Sequence, residues 1–150
     1  MSTAFVAIAE ALAAALLVPP ALADGLVRAN PTTALERDKA TGIAVRLQSA
    51  QQVGAGPCAA EWRSTYGVEC IARSNTGADP AAAVDALLAA VWVRIAALDL
   101  AALSVSDVLL DPQIDWEYDT AETPMAAATL RLTVAHFTER TTLNAAPPNA

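Results

Sequence analysis

Gly42-Ile43-Ala44-Val45-Arg46-Leu47-Gln48 is the stretch on which the fold turns. Ile43, Val45 and Leu47 point one way and Ala44, Arg46 and Gln48 the other, the period-two pattern of a strand with one buried face. Gly54-Ala55-Gly56-Pro57 then has the composition of a connection. A longer alternating run follows, from Trp62 to Arg73. Trp62, Ser64, Tyr66, Val68, Cys70 and Ala72 form one face, and Arg63, Thr65, Glu69, Ile71 and Arg73 lie on the other. Two strands joined by so short a link pair antiparallel.

On the C-terminal side, Asp79-Pro80 opens a helix, an N-cap followed by proline at the first helical position. The helix is expected to reach about Leu98, with Val84, Leu87, Leu88, Val91, Ile95 and Leu98 as its core stripe. Trp92 falls on its flank and Val93 on the opposite side, candidates for a subunit contact. A strand-like region, Val105 to Leu110, is interrupted at Asp111-Pro112. Beyond it Ile114, Trp116 and Tyr118 alternate with Asp115, Glu117 and Asp119. A loop at Thr123-Pro124 precedes a last strand, about Ala127 to Thr138, where Leu130, Leu132 and Val134 oppose Thr129, Arg131 and Thr133.

On the N-terminal side, Ser2 or Thr3 caps a helix whose apolar face is Phe5, Ile8, Leu12 and Leu16. Pro19-Pro20 ends it. Residues 21–41 read as an extended loop with room for a short strand near Val27. The expected fold is α+β: a mainly antiparallel sheet of about four strands with two principal helices on one face, in the order helix-strand-strand-helix-strand-strand. Residues 1–143 form the single domain, and 144–150, with Pro147-Pro148, are expected to be a mobile tail.

The 150 residues suit one domain with its own core. Of the 55% that are hydrophobic, 37 residues are alanine, so the helices need packing partners. Sixteen acids against nine bases give a net charge of -7, which excludes a general basic footprint for nucleic acid. No apolar run has the length to span a bilayer. Ala11 to Ala23 ends in Ala21-Leu22-Ala23 before Asp24, mimicking a signal-peptidase site, but Glu10 interrupts the apolar stretch and no base precedes Arg28. The segment is expected to be a helix of the fold. The rival reading, an exported binding domain with residues 1–23 as signal peptide, implies an oxidised Cys58–Cys70 pair. Free thiols are the expectation here, with a disulfide across the hairpin left open.

Catalytic patterns are sparse. His136 is the single histidine and continues the Leu130, Leu132, Val134 face, which reads as a structural position. No Gly-x-Ser-x-Gly elbow, dinucleotide fingerprint or phosphate loop occurs. No enzymatic activity, cofactor or metal is expected. Charge is unevenly spread: Asp99 to Glu122 holds seven acids and no base, while the rest of the chain carries nine of each. Asp115, Glu117 and Asp119 step along one strand face at about 7 Å intervals, which makes a stripe and not a cation cage. With Asp111 they are a solvated acidic face or, repeated around a ring of subunits, the wall of a negative lumen that keeps passing DNA from sticking. Arg28, Arg37, Lys39 and Arg46 precede that stretch and are candidate subunit or partner contacts.

The order of these features resembles a known family. An N-terminal helix leads to Gly25-Leu26-Val27-Arg28, then to Ala40-Thr41-Gly42-Ile43-Ala44-Val45-Arg46-Leu47. The Trp62–Arg73 strand precedes the Asp79-Pro80 helix, and Asp111-Pro112-Gln113-Ile114-Asp115-Trp116-Glu117 precedes a closing strand from Ala128 to Phe137. Over about residues 3–143 this is similar to the tail terminator (tail completion) proteins of long-tailed bacteriophages, the minor tail protein U type. The resemblance implies a hexameric ring in the virion that caps the tail tube, stops its polymerisation and offers a surface for head joining. Its partners would be other copies of itself, the tail tube protein and a head-completion or neck protein, with DNA passing through unbound and no membrane involved. Another head–tail connector or neck protein is the nearest alternative.

Overall fold

The computed structural model describes residues 2–36, 38–74, 79–120 and 123–147. Its elements are α1 (Ala4–Leu17), β1 (Val27–Ala29), β2 (Thr41–Ala55), β3 (Ala59–Arg73), α2 (Pro80–Ala96), β4 (Val105–Asp119) and β5 (Met125–Glu139), with short 3-10 turns at Leu22–Gly25 and Ala101–Leu103. They make an α+β fold, a five-stranded mixed sheet in the order β1-β2-β3-β5-β4 with both helices on one face.

The alternation seen in sequence sets the two faces. Ile43 and Val45 of β2, Tyr66, Val68 and Cys70 of β3, and Leu130, Leu132 and Val134 of β5 are buried beneath the helices. From above, α1 supplies Ile8, Leu12 and Leu16, each 0% exposed, and lies over β1 and β2. Val84, Leu88, Val91 and Ile95 of α2 pack over β3 and β5. Small side chains help the helix layer sit close: Ala72 pairs with Ala126 and Cys70 with Ala128, all of them fully buried. Asp79 caps α2 by accepting from the Ala81 N–H at 3.0 Å. Thr3 occupies the N-cap of α1 with no side-chain cap bond.

The two helices are also clipped together. Arg94 of α2 donates to the carbonyls of Ala15, Leu16, Val18 and Pro20. The last carbonyls of a helix have no partner within it, and a cation there also meets the negative end of the helix dipole. One guanidinium therefore closes α1.

Several expectations change. The sheet is mainly antiparallel, as expected, but has five strands and not about four: the short strand for which the sequence left room near Val27 is present, and Val27–Ala29 runs parallel to Ile43–Val45. Three residues carry too little pattern to give a strand's partner or direction; it is held by Ile43 N–H to Leu26 O at 2.9 Å and Asn30 N–H to Val45 O at 2.6 Å. A parallel pair needs a crossover, and residues 30–36 begin it, strapped over the face away from the helices with Leu35 set against Gly42. A side chain on Gly42 would strike Leu35, its Cβ falling 2.7 Å from Leu35 Cδ1. The strands are longer than their patterns: β2 runs on to Ala55, so only Gly56 to Cys58 turns, closed by Gly56 N–H to Ala59 O at 2.8 Å.

Asp111-Pro112 does not break the fourth strand. Leu110 pairs with Leu132 and Ile114 with Leu130, so β4 carries extra residues in a bulge. Proline fits there because no ladder bond is asked of it. Of the tail 144–150 expected to be mobile, residues 144–147 return to the sheet, and 148–150 lie outside the described residues. Ala145 bridges Thr138, and Ala146 is 4% exposed with its N–H on Phe137 O at 3.1 Å. Both cysteines are free thiols, Cys58 exposed at the β2–β3 turn and Cys70 buried far along β3. Burial, helped by the neighbouring Glu69 charge, pushes the Cys70 thiol up to about 12.

Candidate interaction surfaces

The face of the sheet away from the helices is open except where the strap at 30–36 crosses it, and it carries most of the residues singled out by charge. Register places them. Arg28, Ala44, Glu69, Thr129 and Asp115 form one continuous rank from β1 through β2, β3 and β5 to β4. Glu117 lies in the next rank, opposite Ala127, and Asp119 in the one after, opposite Met125. These three acids share the open face, as the alternation with Ile114, Trp116 and Tyr118 requires.

Each acid has its own surroundings. Asp115 pairs with Arg131 and accepts from the Gln113 amide at 2.9 Å. The Gln113 bond, then the Arg131 guanidinium, holds its carboxyl below the ordinary value. Asp111 is turned to local work: its side chain accepts from the Gln113 N–H at 2.9 Å and closes the bulge. Glu117 and Asp119 are exposed. Among the described residues, no group of three or more His, Cys, Asp or Glu side chains is placed to hold a metal ion.

The bases gather on the other side. Arg28 donates to Thr33 Oγ1 at 3.2 Å, and Arg46 pairs with Glu69 at 3.2 Å. Arg73, not singled out by sequence, holds the strap through the carbonyls of Leu35 (2.8 Å) and Glu36 (2.6 Å). Arg28, Arg46 and Arg73 border one cavity of about 180 Å³ whose apolar wall includes Leu26, Leu35, Ile71 and Met125. Lys39 is drawn to its neighbour Asp38 at 3.8 Å. Arg37 lies outside the described residues.

Trp92 and Val93 are on the outer surface of α2, 37% and 67% exposed. Two further apolar groups stand out on β4: Leu109, 66% exposed on the open face, and Tyr118, 65% exposed on the helix side, where it stacks on Trp116 at 6.3 Å. Leu109 falls in the acidic row by simple alternation, since the bulge between Leu110 and Ile114 adds two residues and leaves the odd-numbered positions from Asp107 to Asp119 on one face.

His136 is buried, 0% exposed, and shares a 2.7 Å hydrogen bond with the equally buried Ser64. Phe5 meets its ring edge-on at 5.4 Å and meets the Trp62 ring edge-on at 5.1 Å, and Trp62 itself donates to Thr138 Oγ1 at 3.0 Å. Nδ1 has no hydrogen-bond partner among the described residues. Burial depresses the imidazole to about 4, so it is neutral at physiological pH. Its place is the inner face of β5, as the sequence pattern indicates; the pairing with Ser64 depends on cross-strand register and was not foreseen.

No helix of the described residues is long and apolar enough to cross a membrane. Compared with protein-family models and with curated proteins, the sequence matches none.

Proposed function

We propose that this chain is a structural subunit of a bacteriophage tail, closing the end of the tail tube as a homo-oligomeric ring. One end of each subunit binds the last layer of tube, the other faces the incoming head, and DNA passes through the centre. The observation that carries the reading is bipolar geometry. The β2–β3 turn, Gly56 to Cys58, and the ends of β4 and β5 at Asp119 and Met125 sit at opposite ends of the sheet, since Ala59 pairs with Glu139 at one end and Arg73 with Met125 at the other. Fifteen-residue strands separate those ends by roughly 45 Å. A subunit that must stop one polymer and receive a different partner needs two distant, dissimilar tips on a rigid frame, and loops at sheet ends are where such contacts reside. The order of elements adds to this through the resemblance to tail terminator proteins.

The mechanism is steric. A ring seated on the tube presents a tip unlike the tube's own growing surface, so no further tube subunit adds. The test is tube assembly in vitro. Purified full-length chain added to polymerising tail tube protein should arrest elongation and appear as a cap on one end by electron microscopy. Tubes that grow to the same length with the chain in excess, and carry no cap, would reject the reading.

A further inference from the structure

Charge on the open face is sorted by strand. On the β1–β3 flank, Arg28, Arg46 and Arg73 surround one cavity, and Glu69 is the only carboxylate bonded to any of them among the described residues. On β4, Asp107, Asp115 and Glu117 project from the same face, where Arg131 pairs with Asp115. Arg28 and Asp115 stand at the two ends of a single rank, four strand spacings or roughly 19 Å apart. Exposed charges feel one another over only about 8 Å at physiological salt. The two flanks therefore do not neutralise one another; within them Glu69 pairs with Arg46 and Arg131 with Asp115, and each flank keeps an excess of its own sign. Each flank also holds half of an apolar fit: Leu109 stands exposed within the acidic row, and the cavity between the arginines has an apolar wall.

The geometry points to a head-to-tail contact between copies of this chain, the acidic β4 flank of one copy seated on the arginine flank of the next. A second copy is the occupant because one chain carries both signs on one face, with an exposed leucine on the first flank and an apolar recess on the second. Where two copies meet through one pair of flanks, each contact leaves an unused flank on either side and the series continues until it closes, whereas a two-fold pairing of both flanks at once would stop at a dimer. The contact deepens the ring reading and rests on it for closure, whereas docking requires only the second copy. It places Asp115 and Glu117 at a subunit boundary and not on the lumen wall where a stripe read in isolation put them.

The test uses Glu117→Lys and Arg28→Glu, singly and together in one chain, with circular dichroism as the check on folding. Native mass is followed over a concentration series at low and high salt. Wild type should assemble, less so as salt rises. Like charges facing each other across a contact oppose it strongly, so each single reversal should weaken self-association about tenfold or more. The double variant, in which the new acid meets the new base, should recover most of the wild-type assembly. Two single variants with undiminished mass overturn the contact, return the acids to the lumen and leave the ring reading standing. A dimer that never grows overturns the head-to-tail sense. A wild-type chain that stays monomeric in solution overturns the contact, and tube arrest then decides the ring reading separately.

Discussion

Arg94 shows how much one side chain can organise. It stands near the end of α2, yet its bonds go to four carbonyls between Ala15 and Pro20 of another segment. Arg94→Ala leaves those acceptors to water and frees the end of α1. The expected loss is about 2 kcal/mol in urea denaturation, hydrogen bonds from a charged donor being stronger than average. Arg94→Lys should recover only part, because an ammonium cannot spread over so wide an arc. His136 sets a pH dependence. Above about 6.5 the imidazole is neutral in both states and adds none. Between 6.5 and about 4 the unfolded chain takes up a proton that the buried ring refuses, so stability falls with pH by up to about 1.4 kcal/mol per unit. Below 4 both states are protonated and the slope ends. Asp115, held below its usual 3.8, adds its own loss only in more acid solution. His136→Gln should flatten the stability profile between pH 6.5 and 4, and an unchanged slope would contradict the burial of this ring.

At the scale of elements, the strap at 30–36 is the part most open to test. Leu35 is 8% exposed against Gly42, and Arg73 holds the Leu35 and Glu36 carbonyls. Leu35→Ala should loosen the segment and bring limited proteolysis to it while the far-ultraviolet dichroism of the helices is retained. α2 illustrates what sequence reveals well. Its stripe of Val84, Leu88, Val91 and Ile95 and the Asp79 cap follow from local chemistry, because a helix face and an N-cap are decided within a few residues. Asp79→Ala should cost about 1 kcal/mol. β1 illustrates the reverse: Val27–Ala29 becomes a strand only because Ile43–Val45 lies beside it. The bulge in β4 also belongs to tertiary pairing. Asp111-Pro112 looks like a break in sequence, and the continuous partner β5 carries the strand across it.

For the whole molecule, the first helix is inseparable from the core. Ile8, Leu12 and Leu16 are fully buried, and Tyr66 donates to Phe5 O at 2.7 Å. A chain lacking residues 2–23 is expected to lose cooperative thermal unfolding, since several buried side chains at about 1.5–3 kcal/mol each exceed the few kcal/mol by which domains are stable. A truncated chain that melts as sharply as the full one would show α1 to be dispensable. The sequence by itself determined the α+β class, both helices with their inner stripes, the alternating faces of β2, β3 and β5, and the separation of acids from bases along the chain. These are properties of period and composition, and they need no partner segment to be read. Only the tertiary structure decided the parallel pairing of the fifth strand, the joining of His136 to Ser64 across 72 residues, the Arg94 clip, and the rank that sets Arg28 and Asp115 on one face. Each of those depends on register between distant strands or on a contact between separate segments. A shift of one residue would send the same side chains to the opposite face without altering any local pattern.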